Sequence, residues 1–237
     1  MSRVLVVHGS ESGNATQTAM NMVKAWSNKA ELKFTLDPHP MTGNAAAQKF
    51  GRLKDNHDII IVVTSSYGDG EPPFNFRDFL YQLTAASATG SQPLTGMQHA
   101  VLGLGDTSYE SYQNCPRLVD KLMEECGSRR LHKRFESDIN KWSDEMSAGE
   151  RQWMSDVFDI LQLNPDVADA PPCEWTGRVD RERQDTPRSV ADKIFPKDLH
   201  ELRDPIAEVD FKTWVGVGLA IAVAVAASVL FASKRRL

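Results

Sequence analysis

The sequence predicts an α/β fold over roughly residues 1–163, a doubly wound sheet of five parallel strands. Three observations predict it. Short apolar runs alternate with helix-period segments, the pattern of strands joined by crossover helices. The run Ile59-Ile60-Ile61-Val62-Val63-Thr64 is β-branched from end to end, as in a strand buried on both faces. Three loops of small and aromatic residues each follow directly on a strand, at the carboxyl edge where such sheets bind ligands.

The first strand, Val4–Val7, runs into the loop Ser10-Glu11-Ser12-Gly13-Asn14-Ala15-Thr16, and a helix follows with Ala15, Met20, Met22, Val23 and Trp26 as its apolar positions. Alternation over Glu31–Leu36 predicts the second strand, and Ala45–Leu53 a short helix. The third strand, Ile59–Thr64, breaks into Ser65-Ser66-Tyr67-Gly68-Asp69-Gly70-Glu71-Pro72-Pro73, and a helix with Phe76, Phe79, Leu80 and Leu83 on one face comes next. The fourth strand, His99–Leu104, ends in Gly105-Asp106-Thr107-Ser108-Tyr109, and its helix carries Leu118, Leu122 and Met123. A last strand near Arg130–Phe135 leads to Glu136-Ser137-Asp138. A final helix over Ala148–Leu163 turns Trp153, Val157, Ile160 and Leu161 inward.

Beyond this domain the character changes. Residues 164–212 scatter six prolines among dense mixed charge and read as a largely disordered tether, with a short helix possible over Ala191–Leu202. Residues 213–233 carry no charge and are mostly Val, Ala, Leu and Ile, and at about 1.5 Å per residue they span a bilayer core. Trp214 and the basic tail 234–237 flank them as interfacial anchors. The expectation is a C-terminal transmembrane anchor with the first domain facing the cytosol, at the mitochondrial outer membrane or peroxisome rather than the endoplasmic reticulum. Net charge is −5, and without Lys234, Arg235 and Arg236 it is −8, which argues against nucleic acid as the main partner and allows a basic protein partner. Cys115, Cys126 and Cys173 are scattered, with no metal spacing, as in a reducing compartment.

The first loop has the makings of an anion site. A strand feeding a helix through small residues points unpaired N–H groups outward at the positive end of the helix dipole. Ser10, Ser12 and Thr16 add hydroxyls, and the absence of lysine excludes a Walker A loop. An uncharged cradle suits one terminal phosphate, as on FMN. Tyr67 and Tyr109, on neighbouring loops, form a pair able to stack on a flat ring.

Together the loops resemble the FMN-binding, flavodoxin-like domain of the diflavin reductases, such as cytochrome P450 reductase, over about Arg3–Leu163. Ser-Glu-Ser-Gly-Asn-Ala is similar to the family's phosphate loop. Ser-Ser-Tyr-Gly-Asp-Gly-Glu-Pro and Leu-Gly-Asp-Thr-Ser-Tyr-x-x-Tyr-Gln are similar to its two ring-binding loops. Arg130 followed eight residues later by Asp138 also fits the family pattern. The resemblance implies the strand order 2-1-3-4-5 and FMN as cofactor. It implies a site made of Ser10, Glu11, Ser12, Gly13, Asn14, Ala15, Thr16, Ser65, Ser66, Tyr67, Gly68, Gly70, Leu104, Gly105, Asp106, Thr107, Ser108, Tyr109, Tyr112, Gln113 and Asp138. In the family the glycines beside the first tyrosine support one-electron steps, and Asp106 and Asp138 are placed to adjust charge near the ring. The sequence departs from the pattern at Glu11, Gln113, Ser137 and Tyr112.

The diflavin reductases continue into an FAD and NADPH domain, whereas this sequence turns to tether and anchor. The functional expectation is therefore a membrane-tethered FMN electron carrier. Its donor would be a separate NAD(P)H-dependent flavoprotein reductase, and its acceptor a haem or iron–sulfur protein reduced one electron at a time. Acids on the loops (Asp69, Glu71, Asp106, Glu110) are candidate docking charges for a basic partner. Two alternatives stand beside it: an FMN-dependent quinone- or porphyrinogen-type oxidoreductase, and a non-redox interaction protein that has lost flavin. His8 and Cys115, near the loops, read as structural.

Overall fold

The computed structural model describes residues 1–68, 70–141, 143–163, 165–167, 170–176 and 186–195. The expected membrane span, the basic tail and the rest of the expected tether lie outside them. No helix among the described residues is long and apolar enough to cross a membrane.

The described strands form one parallel sheet. At its centre β1 (Arg3–Gly9), β4 (Ile59–Ser65) and β5 (Gln98–Gly105) lie side by side. The second position is shared by β2 (Thr35–Leu36) and β3 (Met41–Thr42), both on β1, and the fifth by β6 (Arg129–Arg130) and β7 (Phe135–Asp138), both on β5. By position this is the order 2-1-3-4-5, with each edge strand broken in two.

The breaks correct the expected strands and have local causes. Pro38 and Pro40 remove two amide donors between β2 and β3, so the ladder cannot run through them, and it begins at Thr35 rather than Glu31. On the other edge the chain leaves the sheet after Arg130, brings the Arg134 guanidinium in to Asp120, and rejoins at Phe135.

The sheet is covered on both faces. Val4, Val6, Ile59, Ile61, Ala100 and Leu102 pack under α1 (Asn14–Ser27) and α6 (Asp144–Leu163). Leu5, Val7, Ile60, Val62 and Val101 pack under α4 (Arg77–Ala88) and α5 (Asn114–Glu125). On α1 the buried stripe is Ala15, Ala19, Met22, Val23 and Trp26, while Met20, expected inside, is 53% exposed because it falls off the 3.6-residue stripe. The expected helix over Ala45–Leu53 is α2 (Gly43–Ala47), capped by the Thr42 hydroxyl, then a 3-10 turn and the short α3 (Leu53–Asn56). Helix α6 starts four residues earlier than expected, at Asp144.

Part of the stretch expected as tether is packed instead. Helix α7 (Pro187–Ile194) has Thr186 as its cap and proline in its first turn, and it buries Val190, Ala191 and Ile194 in the α4/α5 layer. Phe195 then meets Tyr81 edge-on at 5.4 Å. Residues 170–176 lie against α5 and the β6–β7 connection, where the Pro171 carbonyl accepts from Arg130 and the Cys173 thiol donates to Asp120 at 3.2 Å. A helix of apolar stripe and a buried thiol outweigh the disorder that the proline and charge content predicts.

Asp120 is the hub of this edge. It is 1% exposed and meets His99, Arg130 and Arg134. Burial works against its charge, but the hydrogen bond from His99 and the two guanidinium groups outweigh it and bring the carboxyl down to about 2. Its folded value lies below its unfolded one, so the stabilisation is complete above about pH 4, on the order of 2 kcal/mol, and is lost as pH falls toward 2. Asp120→Ala, which leaves two buried cations without their partner, should lower unfolding free energy by about 3–5 kcal/mol, read by urea titration at pH 7.

Candidate functional site

The carboxyl ends of β1, β4 and β5 open together, and the loops that leave them enclose a cleft of about 930 Å³. That volume falls within the range of small-molecule sites. Of the expected residues, Ser10, Glu11, Ser12, Asn14, Ala15, Ser65, Ser66, Tyr67, Gly68, Leu104, Gly105, Asp106, Tyr109 and Tyr112 border it. Its lining includes no lysine, arginine or histidine.

At one end lies the start of α1. Gly13 sits at φ +94 with open space around it, and no side chain caps the helix, so its first amides are left to face the cleft. The Gly13 N–H donates to Ser10 Oγ at 2.9 Å, which closes the loop. Thr16 is turned away: its hydroxyl meets His8 Nδ1 at 3.1 Å inside the domain. Burial pushes the His8 ring below its ordinary value. Glu11 is spoken for as well, since its carboxylate accepts the Phe74 N–H at 2.9 Å.

The two tyrosines flank the other end. Tyr67 is 57% and Tyr109 61% exposed, so two large rings stand open on neighbouring loops. Tyr67 begins a turn closed by the Gly70 N–H on its carbonyl at 2.9 Å, with Gly68 at φ +50 and Gly70 at φ +103. Gly70 does not border the cleft; it packs on Ser111 and Asn114, where a Cβ would stand 3.1–3.2 Å from their atoms. The second and third loops are stitched together by hydroxyls: Ser111 Oγ donates to the Gly68 carbonyl at 3.2 Å, and Ser66 Oγ accepts the Cys115 N–H at 3.0 Å, capping α5 from outside.

The remaining expected residues support the cleft from below. Asp138 is 2% exposed and accepts from the Thr107 N–H at 3.0 Å, the Thr107 hydroxyl at 2.8 Å and the Asn140 N–H at 3.1 Å. Burial opposes its charge, yet these donors hold it below the usual carboxylate range. It serves as a clamp between loops and does not border the cleft. Ser108 donates its N–H to Asp106, forming a local turn that leaves Asp106 at the rim. Gln113, fully buried at φ +60, donates from Nε2 to the Gly103 and Ser137 carbonyls and so ties β5 to β7, while its Oε1 has no partner. Tyr112 packs over Gly105, its phenol pushed up to about 12 by burial and then by Glu136 and Asp138.

Sequence reasoning missed Gln17, Thr18, Ser111, Ser137, Ile139 and Glu150, which also line the cleft. Gln17 and Thr18 lie one helical turn past Asn14, the first residue of α1, a spacing that flags them. Glu150 comes from α6 and had no local signal; burial raises its carboxyl, and Ser137 Oγ meets it at 3.3 Å. Cys115 is buried, its thiol pushed up to about 12, so neither it nor His8 faces the cleft.

A family model described as Flavodoxin matches residues 6–153. The chain belongs to the flavodoxin family. FMN is the cofactor of that family, and the cleft fits it: an uncapped helix start for a phosphate and two exposed tyrosines for a ring. Among solved structures, flavodoxin 1 from Bacillus cereus shares the fold at 19% identity and TM-score 0.52, over 67% of this chain and 98% of that one. A flavodoxin variant from Pseudomonas aeruginosa matches at 25% identity and TM-score 0.51 over the same shares. The curated relatives are larger. The sulfite reductase [NADPH] flavoprotein alpha-component of Buchnera aphidicola is 25% identical over 92% of this chain and 36% of its own length. Methionine synthase reductase of Caenorhabditis elegans is 33% identical over 58% of this chain and 19% of its own. The chain thus spans about a third or less of the length of these relatives, and the likeness to diflavin reductases holds for their flavodoxin-like part.

Two outcomes follow for this flavodoxin-family site. Tyr109→Ala should weaken FMN binding by about 1–2 kcal/mol, read by quenching of flavin fluorescence, with the circular dichroism of the flavin-free protein unchanged. Glu11→Gln keeps an acceptor for Phe74 and removes a charge beside the phosphate loop, so it should tighten FMN about three- to tenfold, less at high salt.

Proposed function

We propose that this protein is a membrane-tethered FMN electron carrier. It takes electrons from a separate NAD(P)H-dependent flavoprotein reductase and passes them singly to a haem or iron–sulfur protein. The observation that carries the reading is the composition of the cleft: two exposed tyrosines, small hydroxyl residues and carboxylates, with no histidine, cysteine or cationic side chain among its lining. Such a lining can hold a flavin and tune it, and it offers a small-molecule substrate little acid–base machinery.

In this reading the amides at the start of α1, with Ser10 and Ser12, hold the phosphate, and Tyr67 and Tyr109 cover the ring. Bound FMN supplies reversible one- and two-electron chemistry. The chain's own part is to orient it, to keep cations away, and to surround it with Asp106 and Glu150, whose negative charge disfavours an anionic reduced ring and lowers its potential. The charge-free span 213–233 and the cations after it support tethering, which raises effective concentration toward acceptors in the same membrane. The basic tail after a modest span favours the mitochondrial outer membrane or peroxisome.

The test is anaerobic photoreduction of the full chain loaded with FMN, followed by visible absorption. Reduction in two separable one-electron steps supports the carrier. A single two-electron step refutes it and points to a quinone-type oxidoreductase, and a chain that takes up no FMN leaves only the interaction-protein alternative.

A further inference from the structure

The Arg117 guanidinium, on α5, joins the cofactor cleft to the segment 170–176. Its Nε and Nη2 donate to the two carboxylate oxygens of Glu136 at 2.8 and 2.6 Å, and its Nη1 donates to the Thr176 carbonyl at 3.2 Å. Its Cζ lies over the Tyr112 ring, 5.6 Å from the centroid. Tyr112 lines the cleft and packs over Gly105, and its hydroxyl donates to the Glu136 carbonyl at 3.4 Å. Thr176 lies past residue 153, where the match to the family model ends.

The segment is a strap held by polar contacts more than by burial. The Pro171 carbonyl accepts from Arg130, the Cys173 N–H donates to Glu124 at 3.1 Å, and the Cys173 thiol donates to Asp120 at 3.2 Å. Cys173 is buried and Trp175 rests half-buried on the α4/α5 layer, but Pro171, Pro172, Glu174 and Thr176 are exposed. The strap and the β6–β7 connection enclose a hollow of about 380 Å³ whose lining includes Arg130, Lys133, Arg134 and Glu136. A segment with few buried apolar contacts opens at a lower free energy than the core beside it.

Arg117 makes strap and cleft interdependent. A guanidinium is a rigid plane of donors, so the double bond pattern to Glu136 fixes the plane that also reaches Thr176 and covers Tyr112. Burial opposes the Glu136 charge, yet Arg117 and Arg134 hold its carboxyl below the usual range, which keeps the pair ionised at neutral pH. Opening the strap takes one acceptor from the guanidinium and loosens the group that covers Tyr112. Conversely, a flavin that fills the cleft restrains Tyr112, and through Arg117 it restrains the strap.

We propose that Arg117 is a positioning residue that couples the strap 170–176 to the cofactor cleft, so that FMN binding and strap closure favour each other. The coupling goes beyond the carrier reading: it needs only that the cleft binds FMN, and it makes no use of the membrane, the donor or the acceptor. By linkage, the factor by which FMN suppresses strap opening equals the factor by which an opened strap weakens FMN binding.

Cys173 reports the strap, while Cys115 and Cys126, buried in the α4/α5 layer, report unfolding of the domain. The full chain is treated with iodoacetamide with and without saturating FMN, and the labelling rate of each cysteine is read by mass spectrometry of its peptide. Wild type is compared with Arg117→Gln and with Arg117→Lys, which keeps a cation for Glu136 but loses the planar fork. In the wild type Cys173 should label faster than the other two, and FMN should slow it about fivefold. In both variants that slowing should fall below about twofold, with Cys115 and Cys126 still protected; if Arg117→Gln exposes all three cysteines, Arg117→Lys decides. Labelling of Cys173 that FMN leaves unchanged overturns the proposal, as does equal labelling of all three wild-type cysteines, or a full slowing that survives in either folded variant. A chain that takes up no FMN, read by flavin fluorescence in the same samples, overturns the coupling and the carrier together. One that shows the coupling yet reduces in a single two-electron step loses the carrier alone.

Discussion

Everything at the site depends on the parallel pairing of β1, β4 and β5. In register Val4 faces Ile59 and Ile59 faces Gln98, so the three strands reach their carboxyl ends nearly level, at Gly9, Ser65 and Gly105. Crossover helices then have to leave from the same edge, and the loops between strand and helix have to share it. An antiparallel arrangement of the same strands would send alternate loops to opposite edges. The burial that keeps the strands parallel is nearly complete on both faces, which leaves the edge as the place where polar backbone can meet a ligand.

Level strand ends do not make a cleft by themselves, and hydroxyl and amide side chains complete it. Ser111 ties the glycine turn to the third loop, Ser66 caps α5 from the second loop, Asp138 clamps Thr107, and Gln113 joins β5 to β7. Several residues that a motif reading assigns to the cofactor are thus engaged in holding the loops around it. Glu11 shows the point: beside a phosphate loop its charge looks unhelpful, but its carboxylate accepts the Phe74 N–H and so ties the first loop to the turn that follows the second.

The far edge of the sheet uses charge instead. Asp120 collects Arg130, Arg134, His99 and the Cys173 thiol in a buried network, and residues 170–176 are held through it, while α7 adds an apolar stripe to the α4/α5 layer. The family model ends at residue 153, so these later pieces lie outside the stretch it matches.

The sequence by itself determined the α/β class, the helices facing the sheet and the three loops, because period-2 and period-3.6 burial and loop-forming residues are local properties. It also determined the pair Tyr67 and Tyr109, since both follow strand ends. Only the tertiary structure decided which polar residues face the cleft. Thr16, Gly70, Gln113 and Asp138 lie in or beside the right loops yet are taken up by contacts with other parts of the fold, and no spacing along the chain encodes such a partner. For the same reason Glu150 entered the cleft unannounced from α6, and the backbone of the exposed Phe74 is held by Glu11 and Asn44, which are distant in sequence and adjacent in the fold.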